Sequence, residues 1–291
     1  MDYKKILITG AEGQLGFYLY KKLDKAFDVL ATSRIGNKKE KIINLDITNY
    51  KDVKILCQKF QPTIIINCAA ITDVDFCEKN KQEAYRVNVD SVSNLIKSSD
   101  LTCKIIQISS DYIFDGNELN YTEESIPNPQ NYYGKTKLES ENLLLGQRRP
   151  FVILRPNTIF SFNKYNFLTW IYKSLKNNEK INVVADQVSN PSYVPSISSA
   201  IMNIILMNGI GVYNHGSSDN ISRYEFSLKI ADSFNLNKKL ISKIHTSELN
   251  QFAKRPLNSI LNTRKIENDF NIKMNYIDEC LHDIKMSKLN V

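Results

Sequence analysis

The sequence predicts an α/β fold built on a doubly wound parallel sheet, with a smaller C-terminal α/β lobe. In the first half of the chain, short apolar and β-branched runs alternate with helix-like segments. Continuous apolar runs are typical of parallel strands buried on both faces. Repeated βα alternation implies right-handed crossovers, which place helices on both sides of one sheet.

The first half contains the clearer elements. Strands are predicted at Lys5–Thr9, Asp28–Thr32, Lys41–Leu45, Thr63–Asn67, Lys104–Ile108 and Phe151–Arg155. Amphipathic helices are predicted between them at Gln14–Lys25, Tyr50–Phe60, Lys81–Ser98 and Tyr133–Leu145.

The alternation loosens after Arg155. Helices are predicted at Phe167–Lys176, Ile197–Met207 and Ser222–Phe234, and short strands at Ile181–Val184 and Gly211–Asn214. We therefore expect one domain at residues 1–155 and a substrate-binding lobe at residues 156–291, and we leave open whether their segments interleave. A ligand would bind between them, at the carboxyl ends of the strands.

A glycine-rich turn joins the first strand to the first helix. Gly10, Gly13 and Gly16 allow a tight turn, close approach of a pyrophosphate to the backbone, and close packing of helix on sheet. The helix N-terminus adds amide donors and a positive dipole for phosphates. The glycine spacing alone also fits a plain turn, but its strand–turn–helix context predicts an NAD(P)-binding Rossmann-type domain.

The end of the second strand bears on the choice of cofactor. An acid there would bind the ribose 2′-hydroxyl of NAD, but the sequence reads Thr32-Ser33-Arg34. Arg34 suits the 2′-phosphate of NADP, unless it is a solvated loop charge. We therefore expect NADPH as the preferred cofactor, with NADH as the alternative.

Composition excludes several other classes. The net charge is +7, but no basic run is interleaved with aromatic residues, so no nucleic-acid partner is expected. No apolar stretch approaches the ~20 residues that cross a bilayer, and the N-terminus lacks the apolar core of a signal peptide. We expect a cytoplasmic protein without a membrane partner. Scattered histidines and the lack of a CxxC pair predict no metal.

A tyrosine and a lysine near the predicted cofactor site suggest an acid. Four tyrosines have a lysine four residues later, so the spacing alone selects none. Tyr133 and Lys137 differ because they open a helix after a turn-rich stretch and share one face of it. A phenol has a pKa near ~10, and a nearby ammonium lowers it. We expect Tyr133 to act as the acid, with Lys137 lowering its pKa.

Two serines end the fifth predicted strand. A hydroxyl at Ser110 could donate to the reacting oxygen of a substrate carbonyl, although a serine at a strand end also serves as a cap. Taken with Tyr133 and Lys137, Ser110 predicts hydride transfer to or from a carbon that bears oxygen.

With these residues assembled, the chain resembles the extended short-chain dehydrogenase/reductase superfamily, and within it the dTDP-4-dehydrorhamnose reductase family. The similar segments run in order along nearly the whole chain: Thr9–Gly16, Leu45–Thr48, Ile66–Asp75, Ser109–Gly116, Asn131–Lys137, Ile153–Arg155, Asp186–Gln187 and Arg255–Ser259. The resemblance implies reduction, by NADPH or NADH, of the 4-keto group of a nucleotide-activated deoxysugar, for surface-polysaccharide precursor synthesis.

The resemblance also implies roles for individual residues. Tyr133 would protonate the alkoxide at C4, Lys137 would hold the nicotinamide ribose, and Ser110 would hydrogen-bond the carbonyl. The implied cofactor contacts are Gly13, Gln14 and Leu15 at the pyrophosphate, Asp46 and Ile47 at the adenine, and Ala69, Ala70 and Thr72 at the inner part of the cofactor. The implied substrate contacts are Val74, Asp111 and Tyr112 at the sugar, and Arg255 at the phosphates.

The chain departs from this family at three places. Thr158 stands where relatives usually carry a tryptophan, so the sugar pocket is expected to differ. Ser189 and Asn190 replace a turn that commonly contains glycine. Some relatives dimerise through a magnesium site with a carboxylate on the first helix, but residues Phe17 to Leu23 include no acid. We predict no such metal and leave a homodimer open.

Two alternatives remain at this point. One is an epimerase or 4,6-dehydratase of the same superfamily, although Tyr112 stands where dehydratases carry an additional acid. The other is a non-catalytic regulatory subunit resembling the methionine adenosyltransferase β subunit. The set Ser110, Tyr133 and Lys137 argues against the second.

Overall fold

The computed structural model describes residues 4–289. The strands are β1 (Lys5–Thr9), β2 (Asp28–Ser33), β3 (Ile43–Asn44), β4 (Ile64–Asn67), β5 (Lys104–Ile108), β6 (Phe151–Pro156), β7 (Ile159–Phe160), β8 (Ile181–Val184), β9 (Val188–Ser189), β10 (Ser192–Tyr193), β11 (Gly211–His215), β12 (Ile221–Ser222) and β13 (Ile241–Ile244). A seven-stranded parallel sheet has the order β11-β6-β5-β4-β1-β2-β3. The predicted doubly wound α/β fold is confirmed.

Helices cover both faces of this sheet. They are α1 (Gln14–Leu23), α2 (Tyr50–Phe60), α3 (Val74–Lys79), α4 (Lys81–Tyr85), α5 (Ser91–Ser98), α6 (Tyr132–Leu145), α7 (Phe167–Lys176), α8 (Val194–Leu206), α9 (Arg223–Ser233), α10 (Arg264–Phe270) and α11 (Ile277–Leu289). A π-helical turn, Arg86–Asp90, joins α4 to α5. The single helix predicted over residues 81–98 therefore contains a π-helical segment.

Burial on both faces explains the continuous apolar runs. In β1, Ile6 and Ile8 pack into the core beneath α1 and α8, whereas Leu7 packs into the core beneath α2 and α5. Ile65 in β4 joins Leu7 on that second face, and its neighbours in β4 face the first. Alternate residues of one strand thus enter opposite cores, which explains why the middle of each strand is apolar on both faces.

The second half of the chain forms its own apolar core between α7, α9, α11 and strand β8. Strand β11 nevertheless pairs with β6 in the central sheet, although it follows residue 155. The domain boundary after residue 155 stays a prediction, and its outermost residues, 1–3 and 290–291, lie outside the described residues. Between residues 4 and 289, the structure contains no helix with the length and apolar character that crossing a membrane requires.

Strand β11 ends at a buried histidine that should make stability depend on pH. Burial lowers the pKa of His215 from its ordinary 6.5 to about 4. Between these values the unfolded chain binds a proton that the folded protein does not, so stability falls as the pH falls, by at most ~1.4 kcal/mol per pH unit. Asp111 opposes this in part, because burial raises its pKa to about 6.

The variant His215→Gln should therefore lose less stability on acidification than the wild type. Urea unfolding at several pH values between neutrality and pH about 4 measures the difference. If the free energy of unfolding depended on pH equally in the two proteins, His215 would not be responsible for the loss of stability on acidification.

Candidate active site

Two clefts open at the carboxyl ends of the central strands. The inner cleft has a volume of about 490 Å³ and lies between the sheet and the second lobe. The outer cleft, of about 320 Å³, lies over β2 and β4. Because both are lined by Gly13, Cys68 and Ala70, they form one continuous groove.

The glycine-rich turn forms the floor where the two clefts meet. Gly10 has φ +67°, and a Cβ there would lie 2.6 Å from the Ala69 nitrogen. A Cβ at Gly16 would overlap the Gly10 carbonyl oxygen. Helix α1 begins directly after this turn, with the Phe17 amide donating to the Gly13 carbonyl over 3.0 Å. The result is a bare backbone cradle at a helix N-terminus, which suits a pyrophosphate.

The groove brings together nearly all of the residues that the sequence predicted. The inner cleft is lined by the predicted Gly13, Gln14, Leu15, Gly16, Ala70, Thr72, Val74, Ser110, Asp111, Tyr112, Tyr133, Lys137 and Thr158. The outer cleft is lined by the predicted Gly10, Gly13, Arg34, Asp46, Ile47, Ala69 and Ala70.

Arg255 lines neither cleft. Its Nη1 lies 2.5 Å from Asp75 Oδ1 and donates to the Ala253 carbonyl over 2.5 Å. The ion pair with Asp75 engages the guanidinium that was expected at the substrate's phosphates. The structure therefore does not place Arg255 with the other predicted substrate residues.

The outer cleft contains an acid that sequence reasoning missed. Glu12, from the glycine-rich turn, accepts a hydrogen bond of 2.5 Å from the Ser33 hydroxyl at the end of β2. Glu12 and Arg34 both line this cleft. An acid that binds the ribose 2′-hydroxyl was expected at the end of the second strand. Glu12 instead comes from the turn that packs against that strand end.

Helix α6 presents Tyr133 and Lys137 to the inner cleft. Asn131 caps the helix, its side chain accepting a 2.8 Å bond from the Gly134 amide. Gly134 allows close packing, because a Cβ there would overlap the Tyr112 carbonyl oxygen. The rings of Tyr112 and Tyr133 meet edge to face with centroids 5.9 Å apart. Helix α6 is thus fixed against the loop that carries Ser110.

The pKa values at this site differ in part from the prediction. Burial strongly raises the pKa of Tyr133, opposed by a hydrogen bond with Ser110. Burial lowers the pKa of Lys137 to about 8, while Glu141 acts to raise it. The Lys137 ammonium donates to the Ile108 carbonyl over 2.5 Å. Burial, and not the ammonium, dominates the pKa of Tyr133, which keeps the phenol protonated at neutral pH.

Ser110 lies beside the tyrosine on the loop after β5. Its hydroxyl donates to Asp111 Oδ1 over 2.9 Å and accepts from the Tyr112 amide over 3.2 Å. Both Ser110 and Asp111 are buried in the wall of the inner cleft. A buried hydroxyl and carboxylate next to a protonated phenol can bind and polarise a substrate that carries both carbonyl and hydroxyl groups.

Asn88, in the π-helical turn, links the cofactor side of the groove to α6. Its Oδ1 accepts from the Ile71 amide over 2.8 Å, and its Nδ2 donates to the Ile71 carbonyl and to Thr136 Oγ1, both over 3.0 Å. Thr136 precedes Lys137. Asn88 therefore ties the segment after β4 to helix α6, a role that the predicted uniform helix did not reveal.

Replacing Asn88 by alanine should leave the half-buried Ile71 amide without its partner, at a cost of at most about 1–3 kcal/mol. We also expect a raised KM for NADPH, because the displaced segment continues the cofactor groove. Thermal unfolding and steady-state kinetics measure both effects. Asn203→Ala is the matched control, since that amide makes one bond of 3.4 Å to Phe270. Equal effects in the two variants would contradict the linking role.

The second lobe contributes seven residues to the inner cleft that the sequence did not indicate: Pro156, Asn157, Ile159, Tyr165, Asn166, Phe167 and Arg223. Asn166 Nδ2 donates to Gln14 Oε1 over 2.6 Å, so the lobe contacts the glycine-rich turn directly. These contacts join residues that lie far apart in the sequence, so no local sequence pattern predicts them. Within the described part of the chain, no three His, Cys, Asp or Glu side chains cluster as metal ligands, and the lack of a metal stays a prediction.

The sheet and its groove define the class: a Rossmann-type protein of the short-chain dehydrogenase/reductase kind, with tyrosine, lysine and serine at the inner end of the groove. A second lobe covers that end. The family model described as the RmlD substrate binding domain matches residues 4–287, and the chain belongs to that family.

Individual relatives extend the comparison. The dTDP-4-dehydrorhamnose reductase of Aggregatibacter actinomycetemcomitans is 34% identical over 97% of this chain and 98% of its own. A solved dTDP-4-dehydrorhamnose reductase from Bacillus anthracis, in complex with NADP, has a TM-score of 0.91 and 30% identity, covering 98% of this chain and 99% of that chain. The methionine adenosyltransferase 2 β subunit of Xenopus tropicalis is 31% identical over 91% of this chain and 82% of its own. The predicted family resemblance is confirmed.

Proposed function

We propose that this protein reduces the 4-keto group of a nucleotide-activated deoxysugar with NADPH, as the name of its reductase relatives describes for a dTDP sugar. One observation carries the proposal. Ser110, Tyr133 and Lys137 line a cleft that continues into the glycine-rich groove. A proton donor thus lies at the end of a site suited to a dinucleotide.

The groove fits NADPH. The tight turn at Gly10 and Gly16, where a Cβ would collide with neighbouring backbone, leads into the N-terminus of α1 and suits the pyrophosphate. Arg34 in the outer cleft would hold a 2′-phosphate. Glu12 in the same cleft would accept a hydrogen bond from a ribose 2′-hydroxyl, which supports NADH as the alternative. When bound, the cofactor supplies the hydride that reduces the sugar carbon.

Tyr133 would supply the proton. A phenol is a stronger acid than an alcohol, so a protonated Tyr133 can protonate the oxygen as negative charge develops on it. Ser110 would donate a hydrogen bond to that oxygen, and Asp111 would accept from a sugar hydroxyl. Lys137 retains donors beyond its bond to the Ile108 carbonyl, and these could hold the nicotinamide ribose. Hydride and proton together convert the carbonyl to a hydroxyl.

We also propose that the reaction serves surface-polysaccharide precursor synthesis in the cytoplasm. The relatives that carry the reductase name support the sugar class, and the sequence predicts the compartment. The boundary between a cofactor domain and a substrate lobe is a further expectation, and the proposal leaves a homodimer open.

The proposal is tested by following NADPH oxidation with a panel of nucleotide 4-keto-6-deoxysugars prepared with 4,6-dehydratases. We expect turnover with one member and little with the others. Lack of turnover across the panel, in protein that binds NADPH, would contradict reductase activity. Copurification with a methionine adenosyltransferase would then favour the regulatory-subunit alternative, and a changed sugar without net NADPH oxidation would favour an epimerase or a dehydratase.

A further inference from the structure

The second lobe presents one arginine to the inner cleft. Arg223 is the first residue of α9, and it lines the cleft together with Phe167 from α7. Its Nε donates to Gln187 Oε1 over 3.1 Å, and its guanidinium lies 5.3 Å from the centroid of the Phe167 ring. The amide and the ring hold the guanidinium without neutralising its charge.

Arg223 is not paired with an acid. Arg155 and Arg255 each form an ion pair with a carboxylate, whereas no Asp or Glu of residues 4–289 lies within ion-pair distance of Arg223. The acid that shares its cleft is Asp111, which already accepts from Ser110. Asp111 interacts with Arg223 electrostatically at longer range but forms no ion pair with it. A half-buried cation without an ion-pair partner costs solvation free energy. The arrangement is suited to an anion that arrives with a ligand.

The position of Arg223 suits one part of the proposed substrate. Tyr133 and Ser110 belong to the first half of the chain and would hold the oxygen at C4. In a six-membered sugar ring C1 lies across from C4, and C1 carries the diphosphate. That group would therefore extend away from Tyr133, toward residues of the second lobe such as Arg223.

We infer that Arg223 binds the diphosphate of the nucleotide-sugar substrate, the role that the sequence had suggested for Arg255. Gln187 and Phe167 act as positioning residues for its guanidinium. The inference rests on the proposed function, because it takes the orientation of the substrate from the reacting C4 carbonyl at Tyr133.

Calorimetric titration tests this without turnover. Protein saturated with NADP⁺, so that the cofactor groove is filled, is titrated with dTDP, UDP and GDP and with the matching nucleosides. For the diphosphate that binds, Arg223→Gln should weaken affinity roughly ten- to hundredfold, the range expected for losing a hydrogen bond to a charged group. Nucleoside affinity should stay within about twofold of the wild type. The diphosphate affinity of Arg223→Lys should lie between those of the wild type and Arg223→Gln, because lysine keeps the charge but lacks the planar guanidinium.

Two variants serve as comparisons. Arg148→Gln removes the same charge from an exposed site outside both clefts and should leave diphosphate affinity unchanged. Arg255→Gln tests the competing assignment directly. A large loss in Arg255→Gln with none in Arg223→Gln would overturn the inference, as would a wild-type protein that binds none of the diphosphates. If Arg223→Gln loses NADP⁺ affinity, the diphosphate and nucleoside affinities of Arg223→Lys decide the question instead.

The outcomes separate this inference from the proposed reduction. Diphosphate binding that depends on Arg223 would stand even if every keto sugar in the panel failed to react. Conversely, turnover with a keto sugar and unchanged diphosphate affinity in Arg223→Gln would uphold the reductase and contradict the role of Arg223.

Discussion

Tyr133→Phe should lower kcat by roughly two to four orders of magnitude, the range typical of removing a positioned general acid. The ring stays in place, so its packing against Tyr112 is kept and NADPH affinity should change little. Steady-state kinetics with the reactive keto sugar, and fluorescence titration with NADPH, measure the two quantities.

The neighbouring tyrosine provides the control. Tyr132 begins the same helix but does not line the inner cleft, so Tyr132→Phe should keep nearly wild-type turnover. A near-wild-type kcat in Tyr133→Phe would contradict the proposal that Tyr133 is the acid. Equal losses in both variants would instead indicate damage to the start of α6.

The second large effect concerns stability. Glu141 on α6 is fully buried, and Arg155 on β6 is 4% exposed. Arg155 Nη2 lies 2.7 Å from Glu141 Oε2, Nε bonds both carboxylate oxygens, and the Ser109 hydroxyl donates to Glu141 as well. Arg155→Met would leave the carboxylate buried without its cation, which costs about 3–5 kcal/mol.

Denaturant unfolding measures this loss. The double variant Arg155→Met/Glu141→Leu should recover much of it, because an apolar pair of similar volume needs no counter-charge. Lys21→Met, which breaks a solvent-exposed pair with Glu40, should change the free energy of unfolding far less. A loss below about 1 kcal/mol in Arg155→Met would show that the buried pair contributes little.

The central sheet could be predicted from the sequence because its strands are buried on both faces. The runs at β1, β4 and β5 are mostly apolar, and the structure places their alternate apolar side chains in opposite cores. The helices α3, α10 and α11 were not predicted. The first two have six and seven residues, too few for a clear helical period.

The site could be predicted where its residues follow strands of the central sheet. Ser110, Tyr133 and the glycine-rich turn belong to segments whose position the βα alternation fixes. Arg223 and Tyr165 belong to the second lobe and reach the cleft only through tertiary packing. The pKa of Tyr133 was predicted in the wrong direction, since the extent of its burial cannot be read from the spacing to Lys137.

The most direct test of the central claim is the fate of the transferred hydride. NADPH deuterated at C4 of the nicotinamide, prepared separately on each face, would be incubated with the protein and a nucleotide 4-keto-6-deoxysugar, and the product examined by NMR. We expect one deuterium at C4 of the sugar, delivered from only one of the two labelled cofactors. A sugar that is converted without deuterium at C4, or that is not converted by protein with bound NADPH, would contradict a 4-keto reductase.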